Sequence, residues 1–309
     1  MASTILIAGP PGAIGQFLVR ELLSQGHAVR ILVRERSRVM ATANGTGPNV
    51  VEAPVPSVSV LDAIVDDITH LVLLSAPAPN QVLWNGALVE AAERTGRPIH
   101  IVPVLAMGAV SDDPALQFAH WHAATVAQIR STGLPMTEIR PQLLMQTLLC
   151  TAPAIRTDDL VFGAYGGSRL PQVDAADVAA AITTVLTTDG HDGQSYVLTG
   201  PQSISHADLA AVLTTTLGRP IRYVDLPAEA FHEHLLGNGV PAWEADDLAV
   251  LGRLFQSDHT WPVTSTLAEL TGRPAHTLQR FVREHAAAFR APHTLAPVRE
   301  GTLPTPFLI

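Results

Sequence analysis

The stretch that decides the fold is ILIAGPPGAIG, residues 5–15, close to the start of the chain. An apolar run ends at Gly9, and Gly12 and Gly15 follow at intervals of three. Between a strand and a helix, glycines in this pattern permit a tight turn and a close approach of ligand to backbone. The first helical turn then directs free N–H groups and a positive dipole end toward a phosphate. We therefore predict a dinucleotide phosphate site.

Two prolines inside the turn, Pro10 and Pro11, have no N–H to offer and make the loop rigid. The donors on the first helical turn remain, so the prolines stiffen the phosphate site without removing it. The alternative is a structural strand–helix turn in which glycine serves packing alone. The predicted contacts are Gly9, Gly12, Ala13, Ile14 and Gly15.

Short apolar runs alternate with longer amphipathic segments through the first half of the chain. Several of these runs are apolar throughout, which is typical of parallel strands covered on both faces. The alternation predicts an α/β fold with a doubly wound parallel sheet. The predicted strands are Thr4–Ala8, Ala28–Val33, Asn49–Glu52, His70–Leu74, Ile99–Val104 and Met136–Ile139, and the predicted helices are Ala13–Ser24, Val82–Arg94 and Pro114–Ser131.

The second half of the chain has a different composition and reads mainly as helices after Ser205, with predicted helices at His206–Leu217, Ala228–Leu236, Ala242–Phe255 and near Thr277–Phe289. We expect a smaller, mostly helical C-terminal lobe that covers the cleft of the first domain. The strand SYVLTG, residues 195–200, is expected to return to the main sheet. The predicted division gives residues 1–150 plus about 172–200 to the nucleotide domain, about 151–171 and 201–290 to the substrate lobe, and 291–309 to an irregular tail.

Composition limits the class of protein. The 309 residues are 47% hydrophobic and 15% charged, with a formal net charge of −9, which argues against nucleic acid as a partner. A single cysteine, Cys150, permits no internal disulfide and fits a reducing compartment. Neither a secretory signal nor an apolar stretch of membrane-spanning length is visible. We expect a cytoplasmic protein, without a membrane partner, that acts on a small molecule.

The end of the second predicted strand reads ILVRERSR, residues 31–38. In nucleotide-binding units of this kind, an acidic residue here contacts the ribose hydroxyls, whereas arginine pairs with a 2′-phosphate. Arg34 and Arg36 therefore favour NADP(H) over NAD(H). Glu35 complicates this interpretation because a shift of one residue would place an acid at the same point, and a solvated arginine cluster is the structural alternative.

The chain resembles the NmrA-like, atypical short-chain dehydrogenase/reductase family over nearly its whole length. The residues that carry the resemblance are ILIAGPPGAIGQFLVRELLSQGHAVRILVR, GALVEAAERTGRPIHIV, STGLPMTEIRPQLLMQTLL, VDAADVAAAITTVL, YVLTGPQSISHADLAAVLTTTLGRPIRYVDLP and LTGRPAHTLQRF. The combination of STGLPMTEIRP with the strand end LTGP is characteristic.

The resemblance implies a Rossmann domain with a small C-terminal lobe and NAD(P)(H) in the cleft between them. It places the glycine loop on Gly9, Gly12 and Gly15 and the 2′-phosphate contact on Arg34. It places the loop after the fourth strand on Ser75, Ala76 and Pro77, and the nicotinamide segment on Pro141, Gln142, Leu143 and Leu144. The chain departs from the family pattern at two places. Ala53 and Pro54 stand where the family has a Gly-Asp pair next to the adenine, and no serine ends the fifth strand.

Orthodox members of this class use Tyr-xxx-Lys on a helix, where a spacing of four puts both side chains on one face. Residues 112–140 contain neither tyrosine nor lysine. His122 is the first candidate for proton transfer or ribose contact, and His120 is the second, since imidazole titrates near neutral pH. The alternative for each histidine is a surface or partly buried position on the helix without a chemical role. Trp121, Trp243 and Phe231 line the cleft or pack the lobes together.

Three functions are consistent with these residues. The first is an NADPH-dependent oxidoreductase that reduces an activated acceptor, such as a quinone, enone or iminium, without the Tyr-xxx-Lys pair. The second is an NADP(H)-binding redox sensor or regulator without turnover, with a regulatory protein partner. The third is a repurposed cyclase or isomerase of secondary metabolism. A homodimer is a possible assembly, and no metal site is expected, because His232 and His234 are two apart and point away from each other on a helix.

Overall fold

The computed structural model describes residues 4–9, 12–33, 47–53, 57–74, 78–106, 115–255 and 260–290. Strands occupy β1 (Thr4–Ala8), β2 (Ala28–Val33), β3 (Asn49–Glu52), β4 (His70–Leu73), β5 (His100–Pro103), β6 (Glu138–Pro141), β7 (Leu160–Gly163), β8 (Ser195–Leu198) and β9 (Arg222–Asp225). Helices occupy α1 (Ala13–Ser24), α2 (Val58–Val65), α3 (Gln81–Arg94), α4 (Gln117–Thr132), α5 (Ala152–Asp158), α6 (Ala175–Thr187), α7 (His206–Leu217), α8 (Ala228–Gly237), α9 (Ala242–Phe255), α10 (Thr266–Thr271), α11 (Leu278–Glu284) and α12 (Ala286–Phe289), with a 3₁₀ helix at Met145–Thr151.

The central sheet has five parallel strands in the order β3-β2-β1-β4-β5. It continues through parallel bridges from Ile101 to Met136 and from Val104 to Ile139, which attach β6 beside β5. The late strand β8 pairs in parallel with β6, in the register Glu138 to Ser195, and so returns to the main sheet as expected. The predicted doubly wound α/β fold is confirmed.

Alternate residues of β1 face opposite layers of helices. Ile5 and Ile7 belong to a core that α1 and α6 complete, whereas Leu6 and Ala8 belong to a core with α2, α3 and α4. Because both faces are covered, the strand has no polar face and its sequence is apolar throughout. This layering leaves the two ends of the strands, rather than the faces of the sheet, open to ligand.

The C-terminal lobe joins most of the later helices to a two-stranded parallel sheet of β7 and β9. One apolar core in this lobe reaches the main domain, since Phe231 and Leu251 pack in the same cluster as Ala106 and Phe118. The predicted division at residues 150, 172 and 200 stays a prediction. Within the described residues, no helix combines the length and apolarity needed to cross a bilayer.

Several boundaries differ from the sequence prediction. The strand expected at Met136–Ile139 forms at Glu138–Pro141, because pairing with β8 decides its register. The helix expected from Pro114 begins at Gln117, and the helix expected near Thr277–Phe289 divides into α11 and α12 around His285. The sequence prediction had no helix at Val58–Val65, where Ser57 caps α2 by accepting from the Val60 N–H.

Candidate functional site

The candidate site lies at the carboxyl ends of the parallel strands, where the strand order reverses. β2 lies on one side of β1 and β4 on the other, so the strand order reverses here, and we expect a crevice between the ends of β1 and β4. In open α/β sheets ligands bind at such a switch point. The predicted phosphate turn follows β1, and the predicted nicotinamide segment follows β6 at the same edge of the sheet.

The glycine turn has the backbone geometry that its sequence predicts. Gly9 has φ of 122°, a left-handed conformation that L side chains rarely adopt, and its N–H donates to the Leu32 carbonyl at 3.0 Å. Gly12 is the N-cap of α1, and it is exposed. Ile14 and Gly15 are buried in the first turn. The turn is thus pinned to the end of β2 and opens α1 at the crevice.

Within the described residues, no side chain caps the N-terminus of α1, and no acidic residue lies in its first turn. Ser57, Asp174, Ser205 and Thr277 cap their helices with side-chain oxygens, whereas α3 and α8 lack a side-chain cap, as α1 does. The uncapped first turn leaves backbone donors and the positive end of the helix dipole for an anion. This arrangement fits the pyrophosphate of a dinucleotide.

Several predicted contacts lie outside the described residues. These are Arg34 and Arg36, which follow β2 in the sequence, and Ser75, Ala76 and Pro77, which follow β4; Pro10 and Pro11 of the glycine turn also lie outside the described residues. The preference for NADP(H) over NAD(H), which depends on Arg34 and Arg36, stays a prediction.

His122, the first candidate for proton transfer, is buried on α4 against the end of β5. Its Nε2 accepts a hydrogen bond from the Ala106 N–H at 3.2 Å, and its Nδ1 lies 3.3 Å from the Gln81 side-chain amide. Burial lowers the pKa of His122 to about 4, so the ring is neutral at physiological pH. Both ring nitrogens are therefore engaged by protein groups next to the crevice.

The bond from Ala106 fixes the orientation of the Gln81 amide as well. Since Nε2 of the neutral ring accepts, the ring proton resides on Nδ1 and needs an acceptor. The Gln81 oxygen, which otherwise has no partner among the described residues, is that acceptor when the amide is turned so that its oxygen faces Nδ1. The Gln81 NH₂ group is then a buried donor at the start of α3 without a partner among the described residues.

His120, the second candidate, is exposed on α4. Burial raises the pKa of the nearby Asp247 carboxyl, whereas the Phe118 and Gln117 N–H groups and His120 lower it. His122 contacts the end of β5 through Ala106, whereas His120 lies on an exposed part of α4 close to Asp247. The proton-transfer role of either histidine stays a prediction.

The segment after β6 also reaches the crevice. Pro141 is buried, and the Gln142 N–H donates to the Leu198 carbonyl at 2.9 Å. The Gln142 side-chain oxygen is buried and has no partner among the described residues. Leu143 is tied to Val173 through its carbonyl, at 2.9 Å. A carboxamide N–H from a bound nicotinamide would satisfy the Gln142 oxygen, so this segment fits the predicted cofactor.

Aromatic side chains pack beside the residues that follow β5 and β6. Trp121 of α4 and Tyr165, Phe231 and Trp261 of the later chain pack in one cluster with Ala106 and Leu143. The Tyr165 ring stacks on His206 with ring centroids 3.9 Å apart, and burial raises the pKa of Tyr165 to about 12. Trp121 and Phe231 therefore pack the lobe against the main domain, and their place in the lining of a cleft stays a prediction.

The acidic residues at the start of α6 have structural partners. Asp174 caps α6, and buried Asp177 accepts from Arg273 at 2.7 Å and from the His276 N–H at 2.6 Å. Among the described residues, no group of three or more His, Cys, Asp or Glu side chains could hold a metal ion.

Gln81, Asp247 and Tyr165 contact His122, the start of α4 and His206, respectively, and no sequence pattern was used to predict them. The signal for Asp247 was available, since it is an acid on the apolar face of a helix that otherwise presents Leu248 and Leu251. Gln81 and Tyr165 follow loops whose course only the folded chain reveals, and no sequence signal identified them.

These features define a doubly wound α/β protein with a nucleotide-type crevice. The chain belongs to the NmrA-like family, whose match spans residues 1–271. It is 33% identical to an NAD(P)H azoreductase of Xenophilus azovorans, over 93% of this chain and 99% of that protein. It is also 33% identical to a (4-alkanoyl-5-oxo-2,5-dihydrofuran-3-yl)methyl phosphate reductase of Streptomyces griseus, over 92% of this chain and 99% of that protein.

Among solved structures, an NADPH-dependent quinone oxidoreductase of Escherichia coli with NADPH bound is similar along the same length. Its TM-score is 0.80 and its identity 26%, and the match covers 92% of this chain and 99% of that chain. The family resemblance predicted from the sequence is confirmed.

Proposed function

We propose that this protein is an NADPH-dependent reductase of an electron-poor acceptor such as a quinone, enone or iminium. The observation that carries the proposal is the uncapped start of α1, held at the switch point of the sheet by Gly9. The azoreductase and quinone oxidoreductase to which the chain is similar support the same reaction class.

Different residues at the crevice bind different parts of the dinucleotide. The N–H groups of the first α1 turn receive the pyrophosphate, and Arg34 and Arg36 select the 2′-phosphate. The Gln142 oxygen accepts from the nicotinamide carboxamide, and the Gln81 amide donates to an oxygen of the cofactor or acceptor. When bound, the reduced nicotinamide supplies the hydride.

An aromatic, uncharged wall borders the acceptor side of the crevice. Burial keeps Tyr165 protonated and His206 neutral, with a pKa of about 12 for the phenol and about 4 for the imidazole. Flat, neutral acceptors pack well on such a surface. Quinones and related acceptors take a hydride without a strong acid at the site, so the missing Tyr-xxx-Lys pair does not block the reaction.

In this proposal His122 keeps the end of β5 in place, and His120 is the more accessible proton donor. A group that protonates the acceptor must regain its proton from water, and His120 is exposed whereas His122 is buried. Both ring nitrogens of His122 are hydrogen-bonded to Ala106 and Gln81, so His122 would have to break one of these bonds to transfer a proton.

Absorbance of the reduced nicotinamide, followed with NADPH or NADH and a panel of quinones, azo dyes and imines, tests the proposal. We expect oxidation of NADPH that saturates with acceptor and is faster than with NADH. Tight binding of NADPH without turnover of any acceptor would contradict the reductase and favour the sensor. Turnover of a substrate without added nicotinamide would instead favour the cyclase or isomerase.

A further inference from the structure

The helix that carries His122 lacks a cap of its own. Its N-cap residue, Leu116, has no side-chain oxygen, and the helix has no acidic residue in its first turn. The acceptor comes instead from Asp247, far along the chain, whose two carboxylate oxygens accept from the Gln117 N–H at 2.8 Å and the Phe118 N–H at 2.9 Å. A helix of the C-terminal lobe thus completes the start of α4 in the main domain.

A second contact lies one turn earlier on the same lobe helix. Trp243 of α9 meets Trp121 of α4, with ring centroids 5.3 Å apart and planes inclined at 58°. Trp243 and Asp247 are spaced i, i+4, so they lie on one face of α9. Both contact the first turns of α4, so α9 meets α4 at two points of different chemistry.

The buried carboxylate makes this junction specific. Asp247 has no exposed surface, and burial raises its pKa while the two backbone donors lower it. A buried carboxylate that accepts two N–H groups tolerates little displacement, because separation would leave a charge and two donors without partners. The lobe is therefore fixed on α4 in one position rather than resting on it through apolar contact alone.

The same helix, α4, links the contact with α9 to the crevice. On α4, His122 lies one turn after Phe118 and accepts from the Ala106 N–H at the end of β5. Ala106 and the lobe residues Phe231 and Leu248 belong to one apolar cluster. The position of α9 and the geometry of the acceptor side of the crevice are thus set through the same helix.

We propose that Asp247 is a positioning residue that seats the C-terminal lobe on α4 and so sets the space in which the acceptor binds above the nicotinamide. This inference rests on the proposed function, since it assigns Asp247 to the acceptor half of the site. The phosphate turn of Gly9 and α1 lies on another element, so the affinity for NADPH does not depend on Asp247.

The test is Asp247→Asn, which keeps the shape of the side chain but replaces one acceptor by a donor. The matched control is Asp246→Asn, because Asp246 is the preceding residue on α9 and pairs with the surface residue His232 at 2.8 Å. The readouts are the KM for 1,4-benzoquinone, the Kd for NADPH, and the far-ultraviolet circular dichroism of the coupled indoles Trp121 and Trp243. Trp121→Phe identifies the signal of this pair.

We expect Asp247→Asn to weaken the indole couplet and to raise the KM for benzoquinone roughly tenfold, as loss of a charge-assisted hydrogen bond implies. The Kd for NADPH stays within about twofold of the wild type, since substitutions that share no contacts with a site couple to it only weakly. Asp246→Asn matches the wild type in all three readouts.

An intact couplet and an unchanged KM in a folded Asp247→Asn protein would overturn the proposal, and Asp247 would then only stabilise α4. If the variant does not fold, Trp243→Leu takes its place, because it removes the ring contact and keeps the carboxylate. An unchanged KM in Trp243→Leu would likewise count against the junction. If the wild type reduces no acceptor, the proposed function fails, but the couplet of Asp247→Asn still decides whether Asp247 seats the lobe.

Discussion

His122 accepts a hydrogen bond from the backbone N–H of Ala106 across the gap between α4 and the end of β5, at 3.2 Å. This bond joins α4 to the chain that follows β5, next to the predicted nicotinamide segment. His122 thus fixes the position of α4 relative to the end of the sheet.

Replacement of His122 by glutamine tests its part in this junction. A glutamine side chain does not place its polar atoms where both ring nitrogens of His122 lie. The Ala106 N–H or the Gln81 amide therefore loses its hydrogen-bond partner. We expect a loss of roughly 1–3 kcal/mol in the free energy of unfolding, measured by urea denaturation. The matched control His120→Gln changes an exposed residue on the same helix and should cost about 0.5 kcal/mol or less.

The pH profile of kcat/KM separates positioning from proton transfer by His122. Because burial lowers its pKa to about 4, His122 does not titrate between about pH 5 and 8. The profile of His122→Gln should therefore parallel that of the wild type. Loss of an inflection near neutral pH in this variant would show that His122 moves the proton.

Gly9→Ala tests whether the turn needs its left-handed backbone in order to receive the cofactor. The φ of 122° at Gly9 strains any residue with a Cβ, at a cost of about 1–3 kcal/mol. We expect the Kd for NADPH to rise at least about tenfold. The matched control is Gly26→Ala at the far end of α1, where φ is 83° and nothing lies within 4 Å of an added Cβ. Equal weakening of NADPH binding in both variants would mean that strain on α1, rather than the site, is responsible.

Acid should destabilise the protein through three fully or partly buried histidines. Burial lowers the pKa of His70, His122 and His206 to about 4, whereas histidine in the unfolded chain titrates near 6.5. The unfolded chain therefore binds more protons, and the free energy of unfolding falls as the pH drops from about 6.5 toward 4. Thermal melts across this range should show a falling Tm.

His206→Phe isolates one of these contributions. The His206 ring is stacked on Tyr165, and its Nδ1 is buried without a partner. Phenylalanine keeps an aromatic ring there and removes both the titration and the unsatisfied nitrogen. We expect the Tm of this variant to depend less on pH than that of the wild type, with the gain largest near pH 5. A Tm that falls with acid as steeply as in the wild type would refute this assignment.

Asp177→Asn tests the structural assignment of the acids at the start of α6. Asp177 is fully buried and accepts from Arg273 and from the His276 backbone. We expect a loss of about 1–3 kcal/mol in the free energy of unfolding, since the asparagine amide places a donor where the buried carboxylate accepts two hydrogen bonds. The matched control is Asp62→Asn, which breaks the exposed pair with Arg94 and should cost under about 1 kcal/mol. A changed Kd for NADPH in Asp177→Asn would give this residue a part in the site.

Local patterns in the sequence predicted most of the main domain. The strands Thr4–Ala8, Ala28–Val33 and Asn49–Glu52 and the helix Ala13–Ser24 have the bounds that apolar runs and glycine punctuation predict. Helix α2 was missed because its first residues, VSV, favour strand and follow prolines, so that only its Ser57 cap marks it as a helix.

The contacts that assemble the site are long-range, and local patterns do not encode them. The register of β6 depends on β8, the cap of α4 comes from Asp247, and the tautomer of His122 depends on Ala106 and Gln81. Each joins elements that lie far apart in the chain. Residue types therefore gave a list of candidates, and the folded chain decided which of them meet.

Titration calorimetry of the wild-type protein with NADPH tests the central claim most directly. The claim is that the N-terminus of α1, opened by Gly9 and Gly12, receives the pyrophosphate of a nicotinamide dinucleotide. We predict saturable heat for one site, with weaker binding of NADH. The absence of heat with NADPH, NADH and NADP⁺ in a folded protein would contradict the account.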